Sequence, residues 1–92
     1  MTEKTDSSDA TWFVYILRCA DDTLYTGITN DLIRRCEQHN AGTASRYTRS
    51  RLPVELVYQE AQGNRSVASK REFEIKALSR QEKESLILSV KP

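Results

Sequence analysis

No apolar run in the chain approaches the ~20 residues needed to cross a bilayer. The first eleven residues, MTEKTDSSDAT, lack the apolar core of a secretory signal, so a cytoplasmic location is the default expectation. There are only two cysteines, Cys19 and Cys36, with no CxxC pair and no second cluster. A disulfide scaffold and a zinc site are therefore not expected, and both thiols read as reduced, small buried hydrophobes. Repeats and low-complexity segments are also lacking. What is there suits one small domain over 12–92: 92 residues, 38% hydrophobic and 29% charged, with a core near the lower limit for independent stability.

The formal net charge of +1 hides an asymmetry. Residues 1–11 set Lys4 against Glu3, Asp6 and Asp9, and read as a polar, disordered tail. Between Arg34 and Arg51 lie Arg34, Arg35, Arg46, Arg49 and Arg51 against one acid, Glu37. Arginine's fork binds two phosphate oxygens at once, so this segment hints at nucleic acid, although a solvated basic face has the same composition.

Residues 12–18 (WFVYILR) are apolar almost without break, which predicts a strand buried on both faces and hence central in a sheet. Ala20-Asp21-Asp22-Thr23 is turn chemistry, and 24–28 (LYTGI) completes a hairpin. Alternation puts Tyr15 on a face with Phe13 and Leu17, and Tyr25 with Gly27. Gly27 weakens a strand unless something must approach its backbone closely. A helix is predicted over 31–40, capped by Asn30 or Thr29, with Leu32, Ile33 and Cys36 as its apolar stripe. Arg35 and His39 fall one turn apart on one flank of that stripe, and Arg34 points nearly opposite. Residues 41–53 read as a long basic loop in which Tyr47 among Arg46, Arg49 and Arg51 suits a phosphate backbone with a base to stack on. A third strand follows at 54–58, with Val54, Leu56 and Tyr58 on one face. After a turn at 61–64 comes a helix over 65–78, with Val67, Ala68, Ile75 and Leu78 as its stripe and Phe73 off it, as if covered on two sides. Glu72 and Glu74 flank that stripe symmetrically, and periodicity does not choose between them. Ser79-Arg80-Gln81-Glu82 is a capping box opening a last helix with Leu86, Ile87 and Val90 as its apolar residues.

Tyr15, Tyr25, Arg35, His39 and one glutamate contain no pair of thiols and no serine with a base. They do contain what phosphodiester hydrolysis requires. A carboxylate can hold one hard divalent cation that keeps several waters and stabilises the leaving oxygen. An arginine can neutralise charge developing on the phosphate. A tyrosine or histidine can take the proton of the attacking water, although a free phenol near pKa ~10 needs help from a neighbour, for which His39 is the candidate. Taken singly, each residue also has an ordinary structural use: core tyrosine, surface arginine, satisfied histidine, or a Glu72 paired with Arg65, Lys70 or Lys76.

The set Tyr15 … Tyr25-Thr26-Gly27 … Asn30-Asp31-Leu32-Ile33-Arg34-Arg35 … His39 … Glu72 resembles the GIY-YIG nuclease superfamily, in particular its small UPF0213 group, over roughly residues 12–88. The resemblance implies an α+β fold, a three-stranded antiparallel sheet flanked by helices in the order β-β-α-β-α-α. It also implies cleavage of DNA with Mg²⁺ or Mn²⁺. Structured, damaged or branched DNA in a repair setting is the expected substrate, with RNA left open. Carried over by position, Tyr15 and Tyr25 match the tyrosines of the two motifs and Gly27 the closing glycine. Arg35 matches the family arginine, His39 the residue that assists the base, and Glu72 the metal glutamate. The Ala68-x-x-x-Glu72 pattern breaks the tie with Glu74. Which tyrosine acts as the base stays open. The first motif here reads Phe13-Val14-Tyr15 and lacks its glycine. No second domain for target choice is recognisable, so weak or structure-directed recognition, or a protein partner, is expected. The rival expectations are a non-catalytic nucleic-acid-binding module acting with a partner, and an inert scaffold.

Overall fold

The computed structural model describes residues 11–90; the predicted tail, apart from Thr11, lies outside the described residues. The elements are β1 (Trp12–Arg18), β2 (Leu24–Thr29), α1 (Leu32–Asn40), α2 (Arg46–Arg49), β3 (Glu55–Gln62), α3 (Arg65–Lys76) and α4 (Arg80–Leu88). The sheet runs β2-β1-β3, with both pairings antiparallel. β1 is the middle strand because it alone is apolar on both faces, and Val14 through Leu17 are all buried. Val14 and Ile16 pack with Tyr58, Ala68, Ile75 and Ile87, under α3 and α4. Tyr15 and Leu17 pack on the opposite face with Cys19 and Val54, against Leu32 and Cys36 of α1. Cys19 is buried and Cys36 half-buried, both as free thiols.

In the β1–β2 turn, the Asp21 carboxylate accepts from the Thr23 backbone N–H at 3.1 Å and from its hydroxyl at 2.6 Å. Asp22 takes the left-handed conformation there (φ 70°). The cap of α1 is Asp31, not Asn30 or Thr29: its carboxylate accepts from Arg34 N–H at 3.1 Å. Thr29 is already engaged, its hydroxyl accepting from Asp31 N–H at 3.0 Å. Ile33, placed on the α1 stripe by periodicity, is 76% exposed.

The expected 41–53 loop contains α2, a single turn that Ser45 caps by accepting from Thr48 N–H at 3.1 Å. β3 is longer than predicted, because β1 offers partners as far as Trp12 opposite Gln62. An irregularity between Ile16 and Leu17 pairs them with Tyr58 and Leu56, leaving Val57 as an extra residue. Leu56 and Tyr58 therefore face opposite ways, and only Val54 and Leu56 share the side of Leu17. The Asn40 side chain clips the end of α1 to this strand, accepting from Val54 N–H at 2.8 Å and donating to Val54 O at 3.1 Å.

On α3, Ala68 and Ile75 are buried while Phe73 and Val67 are exposed, so the described residues cover the helix on one side only. Arg71 ties it to β3 by donating to Glu60 at 2.7 Å. The Ser79–Glu82 capping box forms as predicted. α4 is held to β1 by Arg18, which donates to both oxygens of Glu84 at 2.9 and 3.0 Å. Among the described residues, no helix is long and apolar enough to cross a membrane.

Candidate active site

The register of the hairpin places Tyr15 directly opposite Gly27, and Leu17 opposite Tyr25. All four side-chain positions therefore share one face. The Tyr15 ring lies across the Gly27 backbone. A Cβ at Gly27 would sit 2.6 Å from the Tyr15 hydroxyl and 2.7 Å from Cζ, so no side chain fits there without moving the tyrosine. The reason for a glycine in this strand is the close approach of that ring.

His39, in the last turn of α1, is fully buried. Its Nε2 lies 2.9 Å from the Tyr15 hydroxyl and its Nδ1 2.8 Å from the Thr48 hydroxyl. The Tyr25 ring meets the imidazole edge-on with centroids 5.1 Å apart. Tyr47 of α2 stacks on Tyr25 at 5.9 Å, and the Arg51 guanidinium lies 3.9 Å from the Tyr47 ring centre. Thr48 is a site residue that the sequence reading missed. Its one signal is the Ser45-x-x-Thr48 spacing, which marks a helix start but not a buried hydroxyl.

Burial pushes the Tyr15 hydroxyl well above the usual phenol range, Tyr25 adds to this, and Arg35 opposes it, with Cys36 and Glu72 pushing it up further. Burial, and then Arg35, pushes His39 below the usual imidazole value, so it is neutral at pH 7. Arg35 is half-buried beside these groups, and among the described residues its guanidinium has no ion pair or side-chain hydrogen bond. A free cation beside a buried phenol and imidazole is suited to an anion brought from outside.

The two glutamates of α3 separate clearly. Glu72 is 23% exposed, acts on Tyr15 by its charge, and pairs with Lys76 at 3.1 Å. Glu74 is 64% exposed and pairs with Arg71 at 3.1 Å, away from the site. Among the described residues no three His, Cys, Asp or Glu side chains converge as a metal cluster. The donor set fits a hard cation held by one carboxylate and otherwise by water and substrate oxygens.

The predicted nucleic-acid residues divide as well. Arg46 and Arg49 are exposed and, among the described residues, without ion pairs. Arg51 donates to Asp21 at 3.1 Å and to the Tyr47 carbonyl at 2.9 Å, and Tyr47 already carries Tyr25 and Arg51 against its ring. These two hold the α2 segment onto the hairpin.

A model of the GIY-YIG catalytic domain matches residues 11–85. A UPF0213 protein of Desulfotalea psychrophila is 51% identical over 92% of this chain and 78% of its own. One from Staphylococcus aureus is 52% identical over 82% of this chain and 92% of its own. The solution NMR structure of a UPF0213 protein from Bacillus halodurans superposes with a TM-score of 0.57 at 41% identity, covering 87% of this chain and 85% of that one.

Proposed function

Because the chain belongs to the GIY-YIG family, we propose that it is an endonuclease that hydrolyses phosphodiester bonds in DNA with the help of one divalent cation. The observation that carries the reading is the buried Tyr15–His39 hydrogen bond beside an arginine that has no side-chain partner among the described residues. Tyr15 takes the proton of the attacking water as its own hydroxyl proton passes to Nε2 of neutral His39. Concerted transfer avoids forming a free phenolate, which burial makes costly. Among the described residues the Tyr25 hydroxyl has no protein partner and is available to orient water or phosphate; it remains the alternative base. Arg35 neutralises charge developing on the scissile phosphate. Glu72 would hold Mg²⁺ or Mn²⁺, which when bound supplies Lewis-acid stabilisation of the leaving oxygen. Arg46 and Arg49 meet the flanking phosphates. Branched or damaged DNA in the cytoplasm is the favoured substrate, RNA a further one, with targeting by a protein partner.

The pairing of Glu72 with Lys76 favours a second reading, in which the carboxylate is already neutralised and the fold only binds nucleic acid. Purified protein should be incubated with labelled single-stranded, duplex and branched DNA and with RNA, in Mg²⁺, Mn²⁺ or EDTA. Cleavage with metal and none in EDTA is expected. Binding without cleavage under every condition would favour the second reading.

A further inference from the structure

The four residues of α2 face two ways: Arg46 and Arg49 outward, Thr48 into the buried imidazole. Thr48 is completely buried, and its hydroxyl oxygen lies 2.8 Å from His39 Nδ1, 3.1 Å from Ser45 Oγ and 3.5 Å from the Ser45 carbonyl. The carbonyl can only accept, and Ser45 Oγ, which already accepts from Thr48 N–H, has a second lone pair. Both Ser45 oxygens can thus take the Thr48 proton, an arrangement that turns a Thr48 lone pair toward Nδ1. The other end of the ring gives the same answer. Among the described residues the Tyr15 hydroxyl has one side-chain partner, Nε2. If Nε2 carried the proton, the buried Tyr15 O–H would have no acceptor, and an unmatched buried donor is costly.

We propose that Thr48 is a positioning residue that fixes His39 as the Nδ1–H tautomer, leaving Nε2 bare to accept the Tyr15 proton. The ordered chain is Tyr15 O–H to Nε2, Nδ1–H to Thr48 Oγ, and Thr48 O–H to Ser45. Its catalytic consequence rests on the nuclease reading; the tautomer itself does not.

The test is the side-chain ¹⁵N spectrum of His39 at neutral pH in wild type, Thr48→Ser and Thr48→Val. Wild type and Thr48→Ser should show a protonated Nδ1 and a bare Nε2. Thr48→Val should lose that single form while its backbone spectrum stays folded. In cleavage assays Thr48→Val should lower kcat by about 10²-fold with KM unchanged, and Thr48→Ser should restore it. A protonated Nε2 in wild type would overturn the proposal without any variant having to fold. An unchanged tautomer in folded Thr48→Val would overturn Thr48's part in it. The Nδ1–H form in a protein that cleaves nothing would uphold the tautomer assignment and count against the nuclease reading alone.

Discussion

Gly27 and Tyr15 occupy one space, and that space exists only because Gly27 has no side chain. Gly27→Ala should therefore cost about 1–3 kcal/mol by overpacking. It should also detach Tyr15 from His39, so that activity falls further than stability does; denaturant unfolding beside a cleavage assay checks both. His39 carries a second signature. Its proton affinity is held below the ordinary value of 6.5 by burial and then Arg35. The unfolded chain therefore binds that proton more readily than the native one. Its contribution to stability is complete above about pH 6.5 and is lost as the pH falls from there through the lower value of the folded state. Glu84 titrates lower, held at about 2 from an ordinary 4.5 by Arg18 and Arg80. The unfolding midpoint should decline as the pH falls below about 6.5, and His39→Gln should flatten that segment. At this scale much was legible. Strand alternation put Tyr25 on a face with Gly27, the helix period put Arg35 and His39 on one flank, and the family resemblance joined Tyr15 to them. Thr48 was not legible, since nothing local distinguishes a buried threonine hydroxyl from an exposed one.

Among the elements, α1 and α2 deliver Arg35, His39 and Thr48, and α1 is tethered by a side chain as well as by the packing of Leu32 and Cys36. Asn40 accepts from one and donates to the other backbone group of Val54, which sets where β3 begins relative to His39. Asn40→Ala removes both bonds and should cost about 2 kcal/mol, measured by denaturant unfolding. Asn40→Asp, which keeps one of the two, should fall between. The hairpin, the central strand and the capping box of α4 were visible in local chemistry. The register of β3 was not, because the extra residue at Val57 is fixed by pairing with β1 and turns Tyr58 to the other face. Ile33 fits helical periodicity as well as buried residues do, yet nothing among the described residues covers it, and Phe73, off the α3 stripe, is exposed as well.

For the whole molecule, the arrangement of charge says more than its sum. Arg18, Arg51, Arg71 and Arg80 are matched to carboxylates inside the fold. Arg65 lies 5.4 Å from the Trp12 ring centre instead, and Arg34, Arg35, Arg46 and Arg49, all of α1 or α2, have no carboxylate partner among the described residues. If each meets a phosphate, log K for duplex DNA should fall with log salt at a slope of about −3.6. The double substitution Arg46→Ala, Arg49→Ala should reduce that slope by about 2, whereas Arg51→Ala should change it little. Fluorescence polarisation at several salt concentrations measures all three.

As proposed above, the Tyr15 face is a hydrolytic site completed by one carboxylate and a divalent cation. Glu72 and Glu74 provide a matched pair on α3, one acting on Tyr15 and the other facing solvent. The most direct measurement is the single-turnover cleavage rate as a function of Mg²⁺ for wild type, Glu72→Gln and Glu74→Gln, each verified as folded by thermal unfolding. Saturable metal dependence is expected in wild type and Glu74→Gln, with loss of cleavage by at least about 10²-fold in Glu72→Gln. Equal rates in the two variants, or cleavage that persists in EDTA, would contradict it.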